Sequence, residues 1–72
     1  MERLSMTGPE LKAIRRGLGL SAQGFADLLG ISGGSTVRKW ERDAVAISGP
    51  VERLATLLRD HREVVKWLGA RP

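Results

Sequence analysis

Apolar residues in this 72-residue chain recur in short bursts at helical spacing, separated by glycine, proline and small polar residues. Leu11, Ile14 and Leu18 fall at i, i+3 and i+7 and predict one apolar helix face. Thr7-Gly8-Pro9-Glu10 ahead of them has the form of a capping box, with Met6 and Leu11 at the staple positions. Pro9 sits in the first turn, where its missing N–H costs nothing, and Gly17 and Gly19 end the segment. A second helix starts at Ser21, a cap residue, and turns Phe25, Ala26, Leu28 and Leu29 inward. Gly30 is placed to end it in the left-handed conformation, and Ile31 follows into the core. A third helix is expected over about Ser35 to Arg42, with Val37 and Trp40 inward.

Asp43 to Ser48 reads as a loop, with Val45 and Ile47 packed down. Ser48-Gly49-Pro50 opens a fourth helix much as Thr7-Gly8-Pro9 opens the first. Its apolar face comprises Val51, Leu54, Ala55, Leu57 and Leu58. Asp60-His61-Arg62-Glu63 has the form of another capping box, leading into a fifth helix with Val64, Val65, Trp67 and Leu68, up to Gly69. Helices four and five are either separate or one bent helix. Residues 1–5 and 70–72 read as loose ends. The expectation is one all-α domain over the whole chain, a compact four- to five-helix bundle.

Length and composition narrow the chemistry. Seventy-two residues suffice for one modest core, so caps and a dimer interface matter more than in a larger domain. With no cysteine, disulfides and thiolate metal sites are excluded. No apolar run approaches the roughly 18 residues of a membrane span, and Glu2 and Arg3 open the chain without a signal-peptide pattern. A cytoplasmic protein without a membrane partner is expected. The carboxylates are scattered with no paired-acid arrangement, no phosphate-loop frame exists, and His61 reads as a surface residue at a helix start. No enzyme activity, metal or other cofactor is expected. The net charge is +4, and residues 1–42 hold seven cations against four anions, so most of the excess lies in the first part of the chain.

That part holds the candidate chemistry. Between Leu20 and Glu41, a capped amphipathic segment, a glycine turn and a short cationic segment read as a helix-turn-helix over 21–42, the second helix presented to a DNA major groove. Such a helix needs little bulk at its N-terminal end, donors for base edges and cations or N–H groups for phosphates. Gly34 and Ser35 are small, and Ser35 and Arg38 share a face opposite Val37 and Trp40. Arg38 is long enough for a bidentate contact to guanine, a pairing that gives about 1–3 kcal/mol of discrimination. Thr36 stands near the bases, and Lys39 suits a phosphate. Ser21, Ala22 and Gln23 open helix two with backbone N–H groups free for a phosphate, and Arg42 is a further candidate phosphate contact. Trp40 reads mainly as core, and Arg16 as a solvated residue.

The run Leu11, Ile14-Arg15, Leu20-Ser21, Phe25-Ala26, Leu29-Gly30-Ile31-Ser32, Ser35-Thr36-Val37 and Lys39-Trp40-Glu41-Arg42 resembles the XRE family of Cro/CI-type phage repressors. The resemblance covers residues 8–58 and implies a lambda-repressor-like DNA-binding domain, a homodimer on near-palindromic double-stranded DNA and transcriptional repression. It also implies an ion pair from Arg15 in helix one to Glu41 in helix three. Two departures stand out. The glutamine that directly follows the helix-two cap in the family is Ala22 here, with Gln23 one residue on. The turn has one additional residue, absorbed at Gly33-Gly34. Either Ser32 caps helix three with both glycines inside its first turn, or Ser35 caps it and the glycines widen the turn. Ser35 is favoured, because each interior glycine costs about 1 kcal/mol relative to alanine.

Val64, Trp67 and Leu68 are apolar positions beyond the bundle's own needs, so the 50–68 region, chiefly its 61–68 end, is expected to form a twofold dimer seam. The expected function is a dimeric repressor or autorepressor of a phage or mobile-element operon, of the kind encoded beside anti-CRISPR genes. The alternatives are an antitoxin with a toxin as its protein partner, and a protein-interaction module that binds no DNA.

Overall fold

The computed structural model describes residues 6–68. It is an all-α bundle of five helices: α1 (Gly8–Gly17), α2 (Ala22–Leu29), α3 (Gly34–Glu41), α4 (Gly49–Asp60) and α5 (Val64–Trp67). None of them is long and apolar enough to cross a membrane. The expected loose ends, and Gly69 as the end of the fifth helix, lie outside the described residues.

Local signals set most of the boundaries. The Thr7 hydroxyl accepts from the Glu10 N–H, and the Glu10 carboxylate accepts from the Thr7 N–H at 2.8 Å, so the capping box is complete. Ser21 caps α2 by accepting from the Gly24 N–H at 3.0 Å, and Gly30 ends it at φ 77°. Ser48 caps α4 through the Val51 N–H.

Apolar faces from four helices then meet. Leu11, Phe25, Val37 and Leu58, one each from α1, α2, α3 and α4, are fully buried and form the centre. Trp40 closes the α3 side, and Ala26 and Ala55 let the helices approach. α2 packs most extensively on α3, and α1 packs on both α3 and α4.

Several expectations require correction. Helices four and five are separate, but Asp60 does not cap the fifth. It is the last residue of α4, and its carboxylate turns to the adjacent Arg59 guanidinium, from which it accepts at 3.0 Å, instead of to an N–H of α5. α5 begins without any side-chain cap. Val45 is 49% exposed: the 43–48 loop runs over the surface and only Ile47 reaches the core. Leu57 is 44% exposed, because Leu54, Ala55 and Leu58 already supply the core-facing side of α4, which packs on α1. Helix three starts at Gly34, earlier than Ser35, for reasons that belong to the candidate site.

Candidate nucleic-acid interface

The connection from α2 to α3 is only residues 30–33, so the two helices meet closely at its far side. A methyl group added at Gly34 would lie 2.9 Å from the Gln23 nitrogen and 3.1 Å from the Ala22 carbonyl carbon. Glycine is therefore required there by backbone approach, not by dihedral angle. Closeness also solves the capping problem. Gly33 occupies the cap position and has no side chain to offer, yet the Gly34 N–H donates to Gln23 Oε1 at 3.1 Å. The first turn of α3 is thus capped from α2. Neither Ser32 nor Ser35 caps α3, which corrects the favoured register. Ser35 occupies the second helical position and is exposed, with no hydrogen bond to its hydroxyl among the described residues.

Gln23 has a structural duty in place of an open one. Its amide oxygen holds α3, and its nitrogen donates to Asp27 Oδ1 at 2.9 Å, leaving one amide hydrogen free. Ser21 likewise spends its hydroxyl on Gly24, and Ala22 is buried. At the opposite end of α3, Arg42 is the exposed C-terminal cap residue. Between them Thr36 is half-buried and Arg38 and Lys39 are exposed.

The base of α3 is tied to α1 by two devices. In the first, the Arg15 side chain donates to Glu41 twice, Nε to Oε2 at 2.6 Å and Nη2 to Oε1 at 3.1 Å, and once to the Leu20 carbonyl at 2.9 Å. The two side chains are 13% and 7% exposed, so this fork-to-fork pair is largely shielded from water. Donation to the Glu41 carboxylate holds the Arg15 pKa above the ordinary arginine value. A raised pKa means the contribution is fully present below that ordinary value and is lost only in strong alkali as pH rises past the folded-state pKa. The strut is constant across the neutral range.

The second device was hidden in the sequence. Gly8 is buried against the end of α3, where a methyl group would fall 2.3 Å from the Glu41 carbonyl oxygen and 2.4 Å from that of Trp40. Its N–H donates to Asp43 Oδ1 at 2.8 Å. Asp43 lies just past α3 at φ 60°, a left-handed conformation that aspartate tolerates better than most residues. An aspartate directly after a helix was the available signal, but its partner is 35 residues away.

These constraints leave α3 with one face locked and one face bare. Ser35 and Lys39, four residues apart, stand together on the side away from Val37. Arg38 and Arg42 form a second row toward α1. That row borders a shallow depression of about 290 Å³ lined by Lys12, Arg15, Arg16, Arg38, Glu41 and Arg42. The expected dimer residues lie elsewhere. Val64 packs on the bundle's own core, whereas Trp67 is 85% and Leu68 43% exposed.

No protein-family model matches this chain, and no match is found among curated proteins.

Proposed function

We propose that this protein is a helix-turn-helix regulator of the lambda-repressor-like type, akin to the XRE family, which binds double-stranded DNA through α3. The observation that carries the reading is the braced, bare face of α3. Ser35, Arg38 and Lys39 are exposed, none is engaged in an ion pair among the described residues, and the helix beneath them is fixed at its start by Gln23 and at its end by Glu41 and Gly8. A rigid helix with a small N-terminal end and cations along its exposed side has the shape and charge that a major groove accepts. On this reading Ser35 and Thr36 meet the groove first, and Arg42 grips backbone at the far end. Gln23 keeps a single amide hydrogen for a phosphate, and the α2 start contributes backbone N–H groups beside Ser21.

A homodimer on an inverted repeat follows as part of the proposal. The exposed Trp67 and Leu68 favour self-association through the α4–α5 end, and two protomers would read half-sites about 34 Å apart. Repression by occupancy of its own promoter is the simplest regulatory outcome. The test is fluorescence anisotropy on duplexes tiling the DNA around its own gene, with a shuffled duplex as control. Preference for one tile, and affinity that falls steeply between 50 and 200 mM salt on the scale of about 10³-fold or more for six phosphate contacts, are expected. Absent or salt-insensitive binding to every tile would leave a protein-interaction module that binds no DNA.

A further inference from the structure

The charge of this molecule is not spread over its surface. The depression between α1 and α3 is lined by five cations and one carboxylate, a balance that equals the +4 net charge of the whole chain. Everything else sums to neutral. Within the lining, Arg15 is committed to Glu41 and the Leu20 carbonyl. The other four cations form no salt bridge among the described residues. They come as two i, i+4 pairs, Lys12 with Arg16 on α1 and Arg38 with Arg42 on α3. Like charges at that spacing repel, and here two such pairs border one hollow. Attraction to helix C-termini accounts for Arg16 and Arg38, each in the last turn of its helix, and for Arg42 at the C-cap of α3. It does not account for Lys12, which lies a turn earlier, nor for convergence on one depression.

We propose that this depression is a phosphate-binding site in which Lys12, Arg16, Arg38 and Arg42 hold one phosphoryl group of a DNA backbone. A tetrahedral oxyanion offers several acceptors, and three guanidiniums and an ammonium supply the charge and the donors. The Arg15–Glu41 pair is the floor: it fixes the spacing of α1 and α3, and with it the width of the hollow. The assignment rests on the DNA-binding reading and changes two roles within it. Arg38 moves from a base edge to the backbone, and Lys39 moves from a phosphate to join Ser35 at the base edges, at the centre of the exposed face. It also makes α1 part of the interface.

The chemistry is that of a phosphate, whether in a duplex or free in solution, and two titrations separate these sources. Isotope-labelled protein would be titrated with inorganic phosphate, and separately with a 20-base-pair duplex, while amide and arginine Nε–H resonances are followed. Saturable shifts at Arg16, Arg38 and Arg42 with both probes are expected. Arg16→Gln and Lys12→Gln, both at exposed positions, should each lower the slope of log affinity against log salt by about 1, equally for all duplex sequences. Their thermal unfolding should equal or exceed that of the parent chain, because each relieves the repulsion between Lys12 and Arg16, whereas a role for Arg16 at the helix C-terminus alone would lower it. Shifts with inorganic phosphate but no duplex binding would support the site and overturn the DNA-binding reading. Duplex binding that moves Ser35 and Lys39 resonances, with an unchanged salt slope in both variants, would overturn the site and leave that reading standing. No shift with either probe would overturn both.

Discussion

The α1–α3 part of this molecule and its α4–α5 end are built by different means. In the first, backbones touch: Gly8 lies on the carbonyls of α3, and Gly34 on the start of α2. Polar groups lock those approaches, with Asp43 on Gly8, Gln23 on Gly34 and Arg15 on Glu41. At the α4–α5 end the ties are looser. α5 has four residues and no cap, and Val64 and Val65 lean on the core while Trp67 stands out. Beside the packing of Ala55 and Leu58, the side-chain hydrogen bond from this end to α1 among the described residues is that of the Arg62 guanidinium, which donates to the Gly17 carbonyl. One part presents a fixed surface. The other carries apolar area with nothing of its own to cover it. A 72-residue chain has limited core, and here the close backbone approaches fall at one end and the uncovered apolar area at the other.

The sharpest way to break this contrast is Gly8→Ala. The new methyl group would meet three backbone atoms of Trp40 and Glu41 at 2.3–2.6 Å, none of which is the end of a flexible side chain. α1 would have to lift from α3, which strains the Arg15–Glu41 pair and the Asp43 bond together. A loss of about 3 kcal/mol is expected, at the upper end for overpacking. In a domain this small that corresponds to a fall in Tm of at least about 12 °C, read by circular dichroism. A Tm within a degree or two of the parent would mean that the two helices are not locked by this contact.

Glu41→Ala comes next. It leaves the Arg15 guanidinium 13% exposed without its carboxylate, though still bonded to the Leu20 carbonyl. Fully buried pairs lose about 3–5 kcal/mol when broken; with some water able to reach Arg15, about 2 kcal/mol is expected. The double variant Arg15→Met with Glu41→Leu should recover much of that loss in urea unfolding, since removing both charges leaves none uncompensated. If the double variant is no better than the single one, the pair contributes more than the desolvation argument allows.

How far the sequence announced these features depends on their range. The caps at Thr7, Ser21 and Ser48 and the turn at Gly30 are local, with donor and acceptor three residues apart, and the chain spells them out. The core face of each of the first four helices follows from periodicity, except at Leu57, and the loop residue Val45 stays out of the core. Spacing alone cannot say which of several apolar residues a neighbour reaches first. The start of α3 escapes local reading because its cap comes from Gln23, 11 residues earlier, and no rule of local spacing connects the two. Gly33 and Gly34 looked interchangeable in the sequence. The structure separates them: Gly33 has extended backbone and open surroundings, while Gly34 is pressed against α2. The Arg15–Glu41 contact, 26 residues apart, became legible only through resemblance, which carries long-range information that periodicity lacks.

Gln23 gives the third and smaller effect, and it separates capping from charge. Gln23→Ala removes the acceptor for the Gly34 N–H and should cost about 1 kcal/mol, the usual value of a helix cap. Gln23→Glu keeps an acceptor at the same distance from the backbone and adds a negative charge at a helix N-terminus, where it is favourable. It also gives up the donation to Asp27 and sets two carboxylates four residues apart, so its unfolding midpoint should fall between those of Gln23→Ala and the parent chain. Equal losses in both variants would show that the amide's bond to Asp27, and not the cap, is what matters.

Trp67→Ala has the smallest effect on the folded chain and bears most on the other half of the contrast. At 85% exposure the indole loses little by truncation, so a dilute sample should unfold within about 0.5 kcal/mol of the parent. Concentration is the informative variable. A second copy that covers Trp67 and Leu68 binds only folded chains, so the parent's Tm should rise with protein concentration by mass action. In Trp67→Ala that rise should vanish, and light scattering should give the mass of one chain where the parent gives two. A parent Tm that is flat with concentration, with one-chain mass throughout, would mean that α5 has no self-partner. The apolar end would then need a different occupant, and a repressor would have to bring its two half-site readers together on the DNA alone. Because α3 is held by α1 and α2 and not by α5, losing the seam should leave the affinity for a single half-site unchanged while the full inverted repeat loses its advantage.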